Sequence, residues 1–203
     1  SPHYPTGPPE SLEVIRTALR LSSGAVVVDE AYGQFSDFTA LDLFGAQDAS
    51  ESLIVTRTFS KTWSMAGVRL GYCVASPWMY EEFEKVVLPY HLDSVKQIAG
   101  RVALRFQDEM EHRVTQISDE RDRVSKAMAE LGVEVWPSQA NFILFRTACC
   151  DLPGQEVWKR LLDRSVLVRN CSGWAGLTDC LRVTIGTEQE NTIFLAALQE
   201  ALQ

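Results

Sequence analysis

The sequence has no apolar run approaching the roughly 18 residues of a membrane-spanning helix, and no charged-then-apolar leader at its start. Neither a membrane span nor a signal peptide is therefore predicted. C-x-x-C is absent, and the five cysteines (Cys73, Cys149, Cys150, Cys171 and Cys180) are odd in number with one adjacent pair. That pattern suggests neither a disulfide framework nor a zinc site, and it fits a reducing, cytoplasmic setting. Histidine is scarce, at His3, His91 and His112. There is no basic tract: 19 lysines and arginines stand against 27 acids, a net charge of −8. Nucleic acid and anionic membranes are accordingly poor partners. No internal repeat or low-complexity segment is present. An initiator methionine is missing too, and the chain opens Ser1-Pro2-His3-Tyr4-Pro5-Thr6-Gly7-Pro8-Pro9 in what reads as a loop. A cut polypeptide would begin in this way.

What is present is an ordinary globular composition, 46% apolar and 23% charged, enough for one large domain or two modest ones. Pro8-Pro9-Glu10-Ser11 opens a predicted helix to about residue 21, with Leu12, Ile15, Ala18 and Leu19 on one face. Ala25-Val26-Val27-Val28 follows as a continuous apolar strand, the pattern of a parallel sheet covered on both faces. Asp29-Glu30-Ala31-Tyr32-Gly33 stand at its carboxyl end, the edge where open α/β sheets bind ligands. After an acidic, irregular stretch, strands are expected over 53–56 and 70–75. A helix from Pro77 would carry Glu81, Glu82 and Glu84 near its start. A long helical pattern over 93–131, with a break near 108–111, reads as the connector between two lobes. The second lobe is predicted as a small α+β unit, with strands over 133–137, 141–145, 166–169 and 180–185. A helix over 155–163 and a last one capped at Thr187-Glu188-Gln189-Glu190 complete it.

Between two apolar runs lies a loop with Thr58, Ser60, Lys61 and Arg69. A lysine amine can condense with an aldehyde, and hydroxyls with an arginine can hold a phosphate. Pyridoxal phosphate carries both groups. Taken alone, the segment reads equally well as a solvated loop lysine with a surface arginine. Asp29 can pair with a pyridinium nitrogen, or act as a cap or surface acid. Tyr32 can bond a ring oxygen, or be a half-buried aromatic. Arg169 and Arg182 can converge on a phosphate-bearing substrate, or be exposed strand arginines. Asn141 can be a turn residue or a polar contact in the cleft. Cys149-Cys150 reads as packing or surface, and His91 and His112 as ordinary helix or loop residues.

Taken in order, six sets of segments resemble a known family. They are Pro5-Thr6-Gly7; Val28-Asp29-Glu30-Ala31-Tyr32; Arg57-Thr58-Phe59-Ser60-Lys61 with Ala66-Gly67-Val68-Arg69-Leu70-Gly71; Ser138-Gln139-Ala140-Asn141-Phe142; Leu167-Val168-Arg169; and Cys180-Leu181-Arg182-Val183-Thr184-Ile185-Gly186. The family is the fold-type I pyridoxal-phosphate aminotransferases, most closely those for histidinol phosphate. The resemblance implies an α/β fold: the C-terminal portion of the large, mostly parallel α/β/α domain (1–92), the helical connector (93–131) and a small α+β domain (132–203). It implies Lys61 as the catalytic lysine that joins the cofactor, Asp29 at the pyridine nitrogen and Tyr32 at the ring oxygen. Ser60 and Arg69, with Thr58 beside them, would hold the cofactor phosphate. Arg169 and Arg182 would hold the substrate phosphate, with Asn141 a further candidate in the substrate cleft. Arg182 also matches the substrate-anion arginine of the wider superfamily.

The implied reaction is reversible amino transfer between histidinol phosphate with 2-oxoglutarate and imidazole-acetol phosphate with glutamate, a step of histidine biosynthesis. A cytoplasmic homodimer with its active sites at the subunit interface and no metal is expected. Two departures stand out. Tyr4 occupies the position of an asparagine that bonds the cofactor ring oxygen, so Tyr4 enters the cofactor set as a bulkier donor. The chain also begins where the family is already nearly halfway through. An aromatic-amino-acid aminotransferase, a threonine-phosphate decarboxylase-like enzyme and a catalytically silent interaction module remain as alternatives.

Overall fold

Helix α1 (Leu12–Leu21) begins where Ser11 Oγ accepts the Val14 N–H, and it turns Ile15 and Leu19 inward. Those two side chains pack with Val28 of β1 (Val26–Asp29) and with Leu53 and Val55 of β2 (Leu53–Thr58). In the computed structural model, which describes residues 2–45, 51–147 and 152–203, β1 and β2 run parallel, with Val28 beside Val55 and Asp29 beside Thr56. A third strand, β3 (Gly71–Ala75), adds antiparallel to β2 and gives the order β1-β2-β3. The parallel pairing agrees with the apolar run. Cover on both faces does not extend to Val27, which sits on the edge strand and is 60% exposed.

The chain forms two compact units. One comprises Pro9–Val114 with Pro2, the other His3–Pro8 with Thr115–Gln203. In the first, α2 (Pro77–Glu84) starts on Pro77 and ends at Glu84. Glu81, Glu82 and Glu84 thus fall in its second half, not near its start as expected, because the helix is short. The predicted long helix is interrupted. Asp93 accepts the Lys96 N–H to cap α3 (Ser94–Ala103), a 3-10 turn follows at Leu104–Phe106, and α4 (Gln107–Glu130) resumes. The break precedes 108–111 because Asp108 and Glu109 occupy the first turn of α4, where carboxylates meet the positive helix end. The boundary between the units falls inside α4. No described helix is long and apolar enough to cross a membrane.

The second unit is built on an antiparallel sheet of β4 (Glu134–Val135), β5 (Phe142–Arg146), β6 (Arg169–Asn170) and β7 (Cys180–Thr184), in the order β4-β5-β7-β6. Ile143, Phe145, Leu181 and Val183 face one way into the core. There they meet Val124 and Met128 of α4, Val157 and Leu161 of α5 (Gly154–Asp163), and Phe194 and Leu198 of α6 (Glu188–Ala201). Strand geometry sends the alternate residues to the opposite face. The β6 strand is shorter and later than the predicted 166–169. The Val166 N–H donates to Leu161 O, and the Val168 carbonyl accepts from Trp158 Nε1, so helix α5 takes these backbone groups. Cys149 and Cys150 lie outside the described residues.

At α6, Thr187 Oγ1 accepts the Glu190 N–H while Glu190 accepts the Thr187 N–H, the reciprocal cap expected from the sequence. Thr187→Ala should cost about 1 kcal/mol, read as a lower melting temperature. The bond from the Thr187 N–H holds the Glu190 carboxyl below its ordinary range. A depressed folded value stabilises above the unfolded value and is lost as pH falls through the folded one. Melting curves of Glu190→Gln should therefore lose part of the acid-side slope.

Candidate functional site

In the first unit, the carboxyl ends of the parallel strands lead into the lysine loop. The Glu30 N–H donates to Thr56 O at 2.8 Å, which joins the two strand ends. Thr58 Oγ1 accepts the Ser60 N–H at 3.0 Å and donates to Leu70 O at 3.4 Å. The Phe59 N–H reaches Leu70 O, the Met65 N–H reaches Phe59 O, and the Ser64 N–H reaches Lys61 O. Phe59 is buried, its ring 5.6 Å from those of both Trp63 and Tyr72. The loop is thus tied by its backbone to Leu70, just before β3, and anchored by one aromatic. Ser64 and Arg69 take left-handed backbone, with φ of 56° and 57°, an uncommon conformation for residues with a Cβ.

Lys61 Nζ lies 5.3 Å from the centroid of the Tyr32 ring, and Tyr32 is buried. Asp29 is exposed at the end of β1, with Oδ1 accepting the Ala31 N–H at 2.9 Å. Arg69 is exposed and donates to Ala66 O. Just after the lysine, Thr62 Oγ1 and Trp63 Nε1 are buried without a hydrogen-bond partner, while Arg113 fixes the Thr62 carbonyl. An amine, a phenol, a carboxylate, hydroxyls and a guanidinium in one unit form a donor set suited to a small molecule with an aldehyde, an aromatic nitrogen and a phosphate.

The sequence reading overlooked the residue next to Asp29. Glu30 is 1% exposed and accepts from Arg57 Nη2 at 2.7 Å, Arg57 Nε at 3.0 Å, the Ala40 N–H at 2.6 Å and Thr39 Oγ1 at 2.8 Å. Gly33 packs so closely that a Cβ there would meet Glu30 Cβ at 2.7 Å. This buried pair pins the turn after β1, with Tyr32 on it, to β2. A glutamate directly following a strand, with an arginine inside the neighbouring strand, was the available signal.

The second unit gathers the arginines. Arg169 on β6 is the direct cross-strand partner of Arg182 on β7. Both line a cleft of about 500 Å3 with Trp158, Leu167, Asn170 and Thr184. Opposed like charges on a sheet are unfavourable by about 0.2–1 kcal/mol, a cost that an anion between them would offset. Arg182 Nε and Nη1 are buried without a hydrogen-bond partner, which leaves part of this guanidinium unsatisfied. Tyr4 belongs to this unit rather than the lysine-bearing one, and the Arg182 guanidinium carbon lies 4.5 Å from its ring centroid. Asn141 precedes β5, and its carbonyl accepts the Ile185 N–H at 2.9 Å. Cys171 and Cys180 are buried with Leu144 on the same side of the sheet as Arg182; burial pushes the Cys171 thiol up, against the pull of Arg182.

Similarity to known proteins runs the length of the chain. A histidinol-phosphate aminotransferase of Mycobacterium avium is 44% identical over 198 residues, covering 97% of this chain and 48% of its own length. The chain spans about half the length of the curated relatives it matches. Among solved structures, the histidinol-phosphate aminotransferase of Clostridium acetobutylicum superposes with a TM-score of 0.89 at 24% identity, over 100% of this chain and 62% of that one. That of Sinorhizobium meliloti, solved in complex with pyridoxal-5'-phosphate, gives 0.82 at 26% identity, over 100% of this chain and 55% of that one. The α/β fold is that of these aminotransferases. The family model for aminotransferase class I and II matches residues 1–198, and the chain accordingly belongs to the class I and II aminotransferases.

Proposed function

We propose that this chain carries the cofactor lysine and the substrate-anion arginines of a pyridoxal-phosphate-dependent aminotransferase. It would transfer an amino group between histidinol phosphate and 2-oxoglutarate in histidine biosynthesis, as a cytoplasmic homodimer. The observation that carries the substrate class is the opposed pair Arg169 and Arg182, with two guanidinium N–H groups of Arg182 buried and unpartnered. A buried charged donor without an acceptor is costly, and a phosphate supplies acceptors for both arginines. The relatives that point to histidinol phosphate agree with this choice.

The cofactor fits the donor set of the first unit. Asp29 would meet its ring nitrogen, Tyr32 its ring oxygen, and Ser60, Thr58 and Arg69 its phosphate. Bound there, it supplies an electron sink for the substrate's amine-bearing carbon. Lys61 would hold the group, and the same Nζ, once released, would carry the proton of that substrate carbon. Tyr32 lies against that amine and limits its arc. The buried Glu30–Arg57 pair keeps the turn bearing Tyr32 fixed to β2.

Arg169→Ala tests the substrate class. KM for histidinol phosphate should rise by about tenfold to a hundredfold, the range of a lost charge-assisted bond, with unphosphorylated histidinol changed by less than about threefold. An aromatic-amino-acid aminotransferase would depend mainly on one arginine, and an equal loss on both substrates would sink the phosphate role.

A further inference from the structure

Tyr4 is carried on a turn that is braced against the second sheet. The His3 N–H donates to Pro8 O and the Gly7 N–H to His3 O, while Gly7 O accepts from the Gln139 N–H at 3.0 Å. Gly7 has φ of +100°, and a Cβ there would lie 2.5 Å from Ser138 Oγ. The turn therefore approaches the chain before β5 as closely as its backbone allows, and this seats Tyr4 over the open face of the sheet. Its ring centroid lies 6.0 Å from that of Phe142, edge to face, and 5.7 Å from that of Trp174. Trp174 is itself held in a turn, its N–H on Cys171 O and its carbonyl taking the Leu177 N–H.

The guanidinium of Arg182 occupies the corner these rings make, 4.5 Å from the Tyr4 centroid and 4.8 Å from that of Phe142. A long cationic side chain has several rotamers open to it, and two π faces select the ones that keep the charge against them. Resting on the reading of Arg182 as the substrate-anion arginine, we infer that Tyr4 is a positioning residue. Its ring face, not its hydroxyl, holds the Arg182 guanidinium in the corner with Phe142, on the strand position opposite Arg169 where an oxyanion would meet both. Trp174 backs Tyr4 and keeps its ring from swinging away. This gives Tyr4 a task at the arginine face of the second sheet.

The test is titration calorimetry of inorganic phosphate into the protein at fixed ionic strength, for the parent and the variants Tyr4→Phe, Tyr4→Leu and Arg182→Ala. Leucine preserves apolar bulk against Phe142 and removes the π face, so it separates positioning from packing. The phosphate affinity that Arg182→Ala removes should survive in Tyr4→Phe within about twofold and fall about fivefold in Tyr4→Leu, the scale of one cation–π contact. Equal affinity in Tyr4→Leu and the parent would overturn the positioning role while leaving Arg182 as the anion arginine. Tyr4→Phe as weak as Tyr4→Leu would overturn it as well, by making the hydroxyl the active group. Unchanged phosphate binding in Arg182→Ala would remove the reading beneath it.

Discussion

Lys61→Ala should lower amino-transfer turnover by about a thousandfold or more, the upper range for loss of a positioned proton-transfer group. The chain has five lysines: Lys61, Lys85, Lys96, Lys126 and Lys159. Only Lys61 follows the carboxyl end of a parallel strand, in a loop tied to Leu70, just before β3, by the bonds of Thr58 and Phe59. Its position beside the buried Tyr32 ring gives the amine a fixed neighbour, and a proton can move at one substrate atom only if the base is held near it. Lys61→Arg should fail nearly as badly, since it keeps charge but cannot release a proton readily. Small primary amines added to Lys61→Ala should restore part of the lost rate, because they supply the missing base from solution. A second readout needs no turnover: incubation with pyridoxal phosphate, reduction with borohydride and peptide mapping should tag Lys61. Tagging spread evenly over the five lysines would refute the assignment and favour a catalytically silent module, and full turnover in Lys61→Ala would refute it by placing the proton transfer on another group.

The next largest effect is expected on stability, at Glu30. Removing one partner of a buried ion pair typically costs about 3–5 kcal/mol, since the other charge is left uncompensated. In Glu30→Ala the uncompensated group is Arg57, whose side chain is 13% exposed, and the Ala40 N–H and Thr39 hydroxyl also lose their acceptor. Urea unfolding should show the loss as an earlier midpoint for the first unit. Glu30→Gln should cost less, because the amide oxygen still accepts. A double change, Glu30→Leu with Arg57→Met, should recover part of the deficit, as replacing both charges removes the desolvation cost on each side. A loss below about 1 kcal/mol in Glu30→Ala would show that the pair is in effect solvated.

Much of the lysine side of the site was legible because its signals are local. Val26-Val27-Val28 announces a strand, Asp29 and Tyr32 follow it in the chain, and Lys61 follows the next strand directly. The cross-strand meeting of Arg169 and Arg182 could be proposed from two short strands, but their exact opposition depends on register. Glu30 escaped notice because its partners, Thr39 and Arg57, are nine and twenty-seven residues away and become neighbours only through the fold. Trp174 was missed for the same reason, since its contact is with Tyr4 across almost the whole chain. The errors in helix and strand limits have a common origin in backbone competition: helix α5 captures the carbonyl of Val168, and two acids draw the start of α4 to Gln107.

The alternation along β7 also has a consequence for misfolding. Leu181 and Val183 are sealed in the core while Arg182 and Thr184 look outward. A slip of one residue in the pairing of β7 with β5 would exchange these sets, sending a guanidinium into a space filled by Phe145, Leu161 and Leu198. Such a state is heavily penalised, because an unpaired charge cannot be accommodated there. The charge of Arg182 thus penalises the slipped alignment of β7 on β5. Charge-neutral substitutions at that position should widen the range of registers the sheet can sample, quite apart from what they do to anion binding.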